Sequence, residues 1–296
     1  MKQRSLRSSL FRLVGILAIQ TILILVGGIF VSVSLFQRTI IERQYLLINS
    51  LVNQGNLFLI NTEQVMASQA RIIREFSLSE QSRILQQLKE EYPRFASLQL
   101  IDPSGLVIAE SADTRSLLSL DLSGEPFFEE VQSSKTAHFS DPFISLTTGD
   151  TALIVAVPIL ESAELKGILT GEISLALLQA EVIEQANLGE ETVSFIVDGQ
   201  GRLLAHPNQE WVQERRNLAN MPLVEAGLNG AETIDLFYDE VQDKWMVGTV
   251  QTMINGWPVL TIQPVSIAAR PIMILLAVAG FAFLVSASLF VMVVSR

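Results

Sequence analysis

Leu98-Gln99-Leu100-Ile101-Asp102-Pro103-Ser104-Gly105-Leu106-Val107-Ile108-Ala109 reads as two short apolar runs around a tight turn. Proline and glycine stand where a type I turn favours them, so the stretch predicts a β-hairpin. The pattern returns 96 residues on, at Ser194-Phe195-Ile196-Val197-Asp198-Gly199-Gln200-Gly201-Arg202-Leu203-Leu204-Ala205. Asp102 matches Asp198, Gly105 matches Gly201 and Ala109 matches Ala205.

Each hairpin is followed by a second echo. Ala152-Leu153-Ile154-Val155-Ala156-Val157-Pro158-Ile159 and Gly167-Ile168-Leu169-Thr170-Gly171-Glu172-Ile173 predict a β-pair closing the first unit. Lys244-Trp245-Met246-Val247-Gly248-Thr249-Val250 and Trp257-Pro258-Val259-Leu260-Thr261-Ile262 do the same for the second. Between hairpin and pair lie Glu125-Pro126-Phe127-Phe128-Glu129-Glu130-Val131 and Pro222-Leu223-Val224-Glu225-Ala226-Gly227-Leu228, each with a proline suited to a first helical turn. Two copies are too few for a solenoid. They indicate a duplication into two α+β modules, each with an antiparallel sheet.

Upstream, residues 38–88 contain no proline and are rich in Gln, Glu, Arg, Leu and Ile, which predicts a long stalk helix. Ile41, Tyr45, Ile48 and Val52 draw an apolar stripe at spacings of four, three and four. Gly55 and its Asn-rich neighbourhood predict a kink or break there. Farther out, residues 13–37 and 271–295 carry no charge. As helices of about 1.5 Å per residue, each reaches roughly 37 Å against a hydrocarbon core of about 30 Å, so both predict transmembrane helices. The first is longer than the apolar region of a secretory signal and reads as an uncleaved anchor. Lys2, Arg4, Arg7 and Arg12 precede it without an acid, which places residues 1–12 in the cytoplasm, the intervening ectodomain outside, and Arg296 inside.

The ectodomain, residues 38–270, holds all 31 acidic residues and 15 of the 20 basic ones. Such an acidic unit is unsuited to nucleic acid or to a polybasic contact with anionic lipid. The absence of cysteine removes disulfides, thiol chemistry and cysteine zinc sites. There is no Walker loop, no Gly-x-Ser-x-Gly elbow, no EF-hand spacing and no histidine pair at metal-binding spacing, His138 and His206 being far apart. Neither an enzyme, a metal site nor a cofactor is expected.

A membrane span, a long helix, two strand-Asp-x-x-Gly-strand modules and a second span together resemble the double Cache (dCache, PAS-like) sensors of bacterial chemoreceptors, histidine kinases and diguanylate cyclases. Leu100-Ile101-Asp102-Pro103-Ser104-Gly105, Phe195-Ile196-Val197-Asp198-Gly199-Gln200-Gly201, Ala205-His206-Pro207 and Lys166-Gly167-Ile168-Leu169-Thr170-Gly171-Glu172-Ile173 carry the resemblance. It implies a membrane-distal module over 89–180, which usually holds the ligand, and a membrane-proximal module over 181–268. It also implies a homodimer joined through stalk and membrane helices, in a bacterial inner membrane.

Members that bind free amino acids are expected to use an Arg-x-Trp-Tyr cluster, a Tyr-x-Asp pair and a last-strand Asp. Those places fall on Glu125, Phe127, Phe128, Phe143, Ser145 and Glu172. A glutamate where a guanidinium belongs cannot hold a ligand carboxylate. Two carboxylates near three phenylalanines suit a cationic amine, through ion pairing and cation–π contact of roughly 0.5–2 kcal/mol per ring. Pro126-Phe127-Phe128 serving only as a core anchor, with Glu125 in solvent, is the competing reading. Asp141, Thr147, Thr148 and Asp150 either add hydrogen bonds to that pocket or, in Thr148-Gly149-Asp150-Thr151, form ordinary turn chemistry. The expected function is a small-ligand sensing input module of a transmembrane receptor. The alternative is an accessory or scaffold membrane protein that binds a protein partner. No output domain follows the second span, so the output is expected from a longer gene product or a partner.

Overall fold

The computed structural model describes residues 41–111, 116–184, 191–239 and 243–270, with isolated positions outside these runs. The uncharged stretches 13–37 and 271–295 lie outside the described residues apart from such isolated positions. Among the described residues no helix is long and apolar enough to cross a membrane.

The stalk sequence forms two helices, not one: α1 over residues 41–73 and α2 over Leu78–Glu91. The break has a local cause. Ser77 takes an extended conformation and closes a capping box with Glu80, whose carboxylate accepts the Ser77 N–H at 3.1 Å. That supplies the backbone partners a new helix start needs. Gly55, by contrast, sits inside an unbroken α1, where the chain is helical on both sides. A Cβ at that position would lie 2.6 Å from the Met253 Cε, so the glycine admits a close neighbour and bends nothing. The apolar stripe also begins later than expected. Ile41 and Tyr45 are exposed, whereas Ile48, Leu51, Val52, Phe58, Leu59, Met66, Ala70 and Ile73 are buried.

The first module is built on β1 (Phe95–Ile101), β2 (Val107–Glu110), β3 (His138–Phe139), β4 (Phe143–Ile144), β5 (Thr151–Glu161) and β6 (Glu164–Ser174), with α3 over Pro126–Ser134. Its sheet runs β2-β1-β6-β5-β3, with β4 paired to β5, and every pairing is antiparallel. Successive side chains alternate faces. Leu98, Leu100, Leu153, Val155, Leu169 and Ile173 join the large core that also holds the buried face of α1 and α2. Ile101, Ala156 and Ile168 point the other way and pack with Phe127, Phe128 and Val131 of α3.

A short helix α4 (Leu175–Leu178) and one turn of π-helix (Gln179–Glu184) lead to the second module. There β7 (Val193–Val197), β8 (Leu203–Ala205), α5 (Gln209–Gln213), α6 (Pro222–Leu228), β9 (Thr233–Asp239), β10 (Lys244–Thr252) and β11 (Pro258–Pro264) precede α7 (Val265–Ala268). The sheet order β8-β7-β11-β10-β9 repeats that of the first module.

The two hairpin turns are equivalent down to single bonds. Asp102 Oδ1 accepts the N–H groups of Ser104 (2.8 Å) and Leu106 (3.0 Å). Asp198 Oδ1 accepts those of Gln200 (2.8 Å) and Arg202 (2.9 Å). Gly105 and Gly201 take φ of +97° and +79° and donate back to the Asp102 and Asp198 carbonyls at 3.0 Å. The constant offset continues to the helix starts, where Pro126 and Pro222 both occupy the first turn.

Candidate functional site

On the face of the first sheet turned away from α1, strands β1, β6 and β5 place Gln99, Glu172 and Ile154 side by side, and α3 crosses above them. Between them is a cavity of about 560 Å³. Pairing sets the floor: Glu172 lies opposite Ser97 on β1 and Ile154 on β5. Glu172 is only 5 % exposed. Its carboxylate accepts from Ser97 Oγ at 3.1 Å and from Thr147 Oγ1 at 3.3 Å. Two hydroxyl donors leave acceptor capacity on a carboxylate that has several lone-pair sites.

Of the residues singled out from sequence, Glu125, Phe127, Asp141, Phe143 and Glu172 line this cavity. Glu125 stands at the start of α3, exposed and without a capping hydrogen bond. Phe127 is buried in the wall, and Phe143 is half-buried. The other four lie elsewhere. Phe128, 2 % exposed, lies in the small core beneath α3, which Phe127 also joins, and does not reach the cavity. Ser145 is buried in the turn before β5, where its hydroxyl accepts the N–H groups of Thr147 (3.1 Å) and Thr148 (2.9 Å). Thr148 and Asp150 are exposed on that turn, and Gly149 completes it with φ +79°. Turn chemistry accounts for this segment, with only Thr147 reaching Glu172.

The sequence reading did not anticipate Gln99, Glu130 or His138 in the wall, nor Arg202 and Arg215. Gln99 and His138 were readable in principle, since strand alternation puts them on the Glu172 face. The two arginines belong to the second module and arrive only through the docking of the modules. Arg202 leaves the β7–β8 turn and ion-pairs with Asp198 (2.6 Å) and, across the module boundary, with Asp141 (2.8 Å). Gln200 adds a hydrogen bond to the same Asp141 oxygen at 3.2 Å. Burial works against the Arg202 charge, but the hydrogen bond to Asp198 and the charges of Asp198 and Asp141 outweigh it and raise its pKa above the ordinary value. Phe139 meets Trp257 of the second module edge-on, at 6.2 Å between centroids.

His206 has no part in the cavity. Its ring is stacked on Trp211 (4.7 Å) and tilted against Phe195 (5.7 Å), and its backbone N–H donates to Gln179 Oε1 at 2.6 Å. Among the described residues no group of three or more His, Cys, Asp or Glu side chains is placed to hold a metal ion.

Two sheets of one topology, a long packing helix and a cavity on the free face of the first sheet are the frame of a tandem sensor. The profile of the Cache domain family, of the dCache_1 type, matches residues 32–272. The chain belongs to the Cache domain family. In this family the duplicated unit is an extracytoplasmic small-ligand sensing module, and the two-sheet ectodomain is that module. The ligand-binding domain of Campylobacter jejuni chemoreceptor Tlp3, solved with 4-methylisoleucine, superposes with a TM-score of 0.66 at 13 % identity, over 81 % of this chain and 96 % of that one. That of Pseudomonas fluorescens chemoreceptor CtaA, solved with L-isoleucine, gives 0.63 at 18 % identity over 80 % and 97 %. At such identities the likeness is one of fold. The methyl-accepting chemotaxis protein PscA of Pseudomonas syringae pv. tomato is 23 % identical over 146 residues, which are 46 % of this Cache chain. The match spans 23 % of that receptor's length.

Proposed function

We propose that this Cache chain is the input half of a two-pass bacterial receptor, and that its distal cavity takes up a small molecule bearing a protonated amine. One observation carries the reading: a buried carboxylate, Glu172, on the floor of a cavity of about 560 Å³ walled by Phe127 and Phe143. A volume of this order fits a small metabolite. An ammonium entering there pairs with a partly desolvated carboxylate and meets aromatic faces, the two contacts that favour a cation. The names of the solved relatives agree with it, since 4-methylisoleucine and L-isoleucine both carry an α-amino group.

The stretches 13–37 and 271–295 anchor the module, with the ectodomain periplasmic or extracellular. A second copy pairs along the stalk, where Ile41, Tyr45 and Leu46 are exposed. Occupancy shifts an equilibrium between two packings of the modules against α1, which continues toward the first anchor.

The test is thermal unfolding of the full chain in detergent or nanodiscs with a panel of small amines, because a ligand of the folded state raises stability by mass action. A stabilising amine is expected, and Glu172→Gln should weaken it by about 10- to 100-fold, the loss of a charge-assisted hydrogen bond. Unchanged amine affinity in that variant, or no stabilising amine, would overturn the reading.

A further inference from the structure

Both arginines lining the distal cavity, Arg202 and Arg215, come from the proximal module, and only Arg202 is ion-paired among the described residues. Arg202 is held by Asp141 and Asp198. Arg215 makes no ion pair among the described residues. Its Nε, like Arg202 Nη2, is enclosed and has no hydrogen-bond partner, so what sets Arg215 apart is the missing ion pair. Arg215 thus lines the cavity without a counter-ion among the described residues, and an anion bound there would supply one. Helix α3 offers no competing cation, since Pro126–Ser134 contains no basic residue and Glu125 stands at its start.

The backbone holds Arg215 in place. Its φ of +52° lies in the left-handed region, uncommon for a non-glycine residue. Hydrogen bonds fix that turn: the Arg215 N–H donates to Val212 O, and the Arg216 N–H to Trp211 O, both at 3.0 Å. The Leu203 N–H donates to Arg216 O at 3.0 Å, tying the turn to β8. The Arg216 guanidinium is committed elsewhere, 4.2 Å from the Trp211 ring centroid. In the first module the equivalent of Arg215 is Ser119, which also takes a left-handed φ (66°) but cannot bind an anion by charge. The duplicated turn has kept its backbone and acquired a cation in the copy that faces the other module's cavity.

We infer that Arg215 is the anion-binding side chain of the distal cavity, so that a ligand with a carboxylate is held by both modules at once: its amine by Glu172, its carboxylate by Arg215. Such a ligand draws the turn after α5 toward the distal sheet, and the proximal module thereby senses whether the cavity is filled. This rests on the amine reading above for the site but not for the role of Arg215.

The test is thermal unfolding of the full chain with matched pairs, each an amino acid and the amine left by removing its carboxylate, such as leucine and 3-methylbutylamine. At least one amino acid should bind about 10- to 100-fold more tightly than its amine, the range expected for a charge-assisted contact. Arg215→Ala should reduce that acid to the level of its amine, Arg215→Lys should restore part of the difference, and Arg216→Ala should leave it unchanged. Amide hydrogen exchange over residues 202–218 should slow with the acid and not with the amine, a readout that a purely structural role would not give. Equal binding of acid and amine, or an acid preference untouched in Arg215→Ala, would overturn the inference while leaving the amine site standing. Stabilisation by neither member of any pair would overturn both.

Discussion

His206 shows how a single residue couples packing to pH. It is 8 % exposed, packed between Phe195 and Trp211, and its Nδ1 accepts the Asn208 N–H at 2.9 Å. Burial, with a smaller contribution from the Arg216 charge, lowers its pKa below the ordinary 6.5. The unfolded chain therefore takes up a proton on this histidine before the folded one does. The stability that the neutral ring contributes is present above about pH 6.5 and is lost as pH falls from there through the folded-state pKa. Urea unfolding followed from pH 8 to pH 5 should show a decline that is shallower in His206→Gln, and equal slopes in the two proteins would refute this account. Residues of this kind were only half legible in the sequence. Gly105 and Gly201 could be read because a turn's requirement for positive φ is local, and the Asp-x-x-Gly spacing states it. Arg202 and Arg215 could not, since their meaning depends on how two modules dock, and no short-range pattern encodes that.

At the scale of elements, the strands were the most readable, because each alternates between a helix-facing and a cavity-facing side. Glu172 declared itself there as a lone acid in an apolar run, Gly167 to Ile173. The helices were read less well. The interruption before α2 contains neither proline nor glycine, and its signal was the pair Ser77 and Glu80 at capping-box spacing. Gly55 looks like a breaker in the sequence because what it meets is distant along the chain. Its neighbour Met253 belongs to the loop between β10 and β11, and Asn56 Oδ1 accepts the Ile254 N–H at 2.9 Å beside it. This is the seam between α1 and the proximal module, so its packing has a direct test. Gly55→Leu should destabilise the protein by about 1–3 kcal/mol through overpacking. Shortening the opposing side chain should relieve it, making Gly55→Leu with Met253→Ala less destabilised than the sum of the single variants. Gly55→Ala, where the flexible end of Met253 can move aside and helix propensity improves, should be close to neutral. Strict additivity of the Leu and Ala changes in chemical denaturation would mean that the two residues do not press on one another.

For the whole molecule, α1 is the part that ties the modules into one lever. It touches the proximal module at Gly55 and Asn56 and the segment leading into β1 at Thr62, which Arg94 Nη1 reaches at 3.3 Å; just past its end, Arg74 Nη1 donates to Leu160 O of β5 at 3.0 Å. Its other end leads back past the proximal module toward residues 13–37, while α7, packed on β10 and β11, leads toward residues 271–295. On the proposed two-pass reading charge sets the sense: four basic residues and no acid precede the first stretch, and residues 38–270 carry 31 acidic against 15 basic side chains. The chain has no cysteine, so single cysteines give an unambiguous reading of side. Asn61 is exposed on α1 and suits the purpose. Gly201 does not, being buried with a positive φ, but Gly199 in the same turn is exposed and a Cβ there meets nothing within 4 Å. In whole cells a membrane-impermeant maleimide should label Asn61→Cys and Gly199→Cys, and should label Ser5→Cys only after the membrane is opened. Protection of Gly199→Cys in intact cells, with labelling on lysis, would place the cavity on the cytoplasmic side and remove the basis for extracytoplasmic sensing.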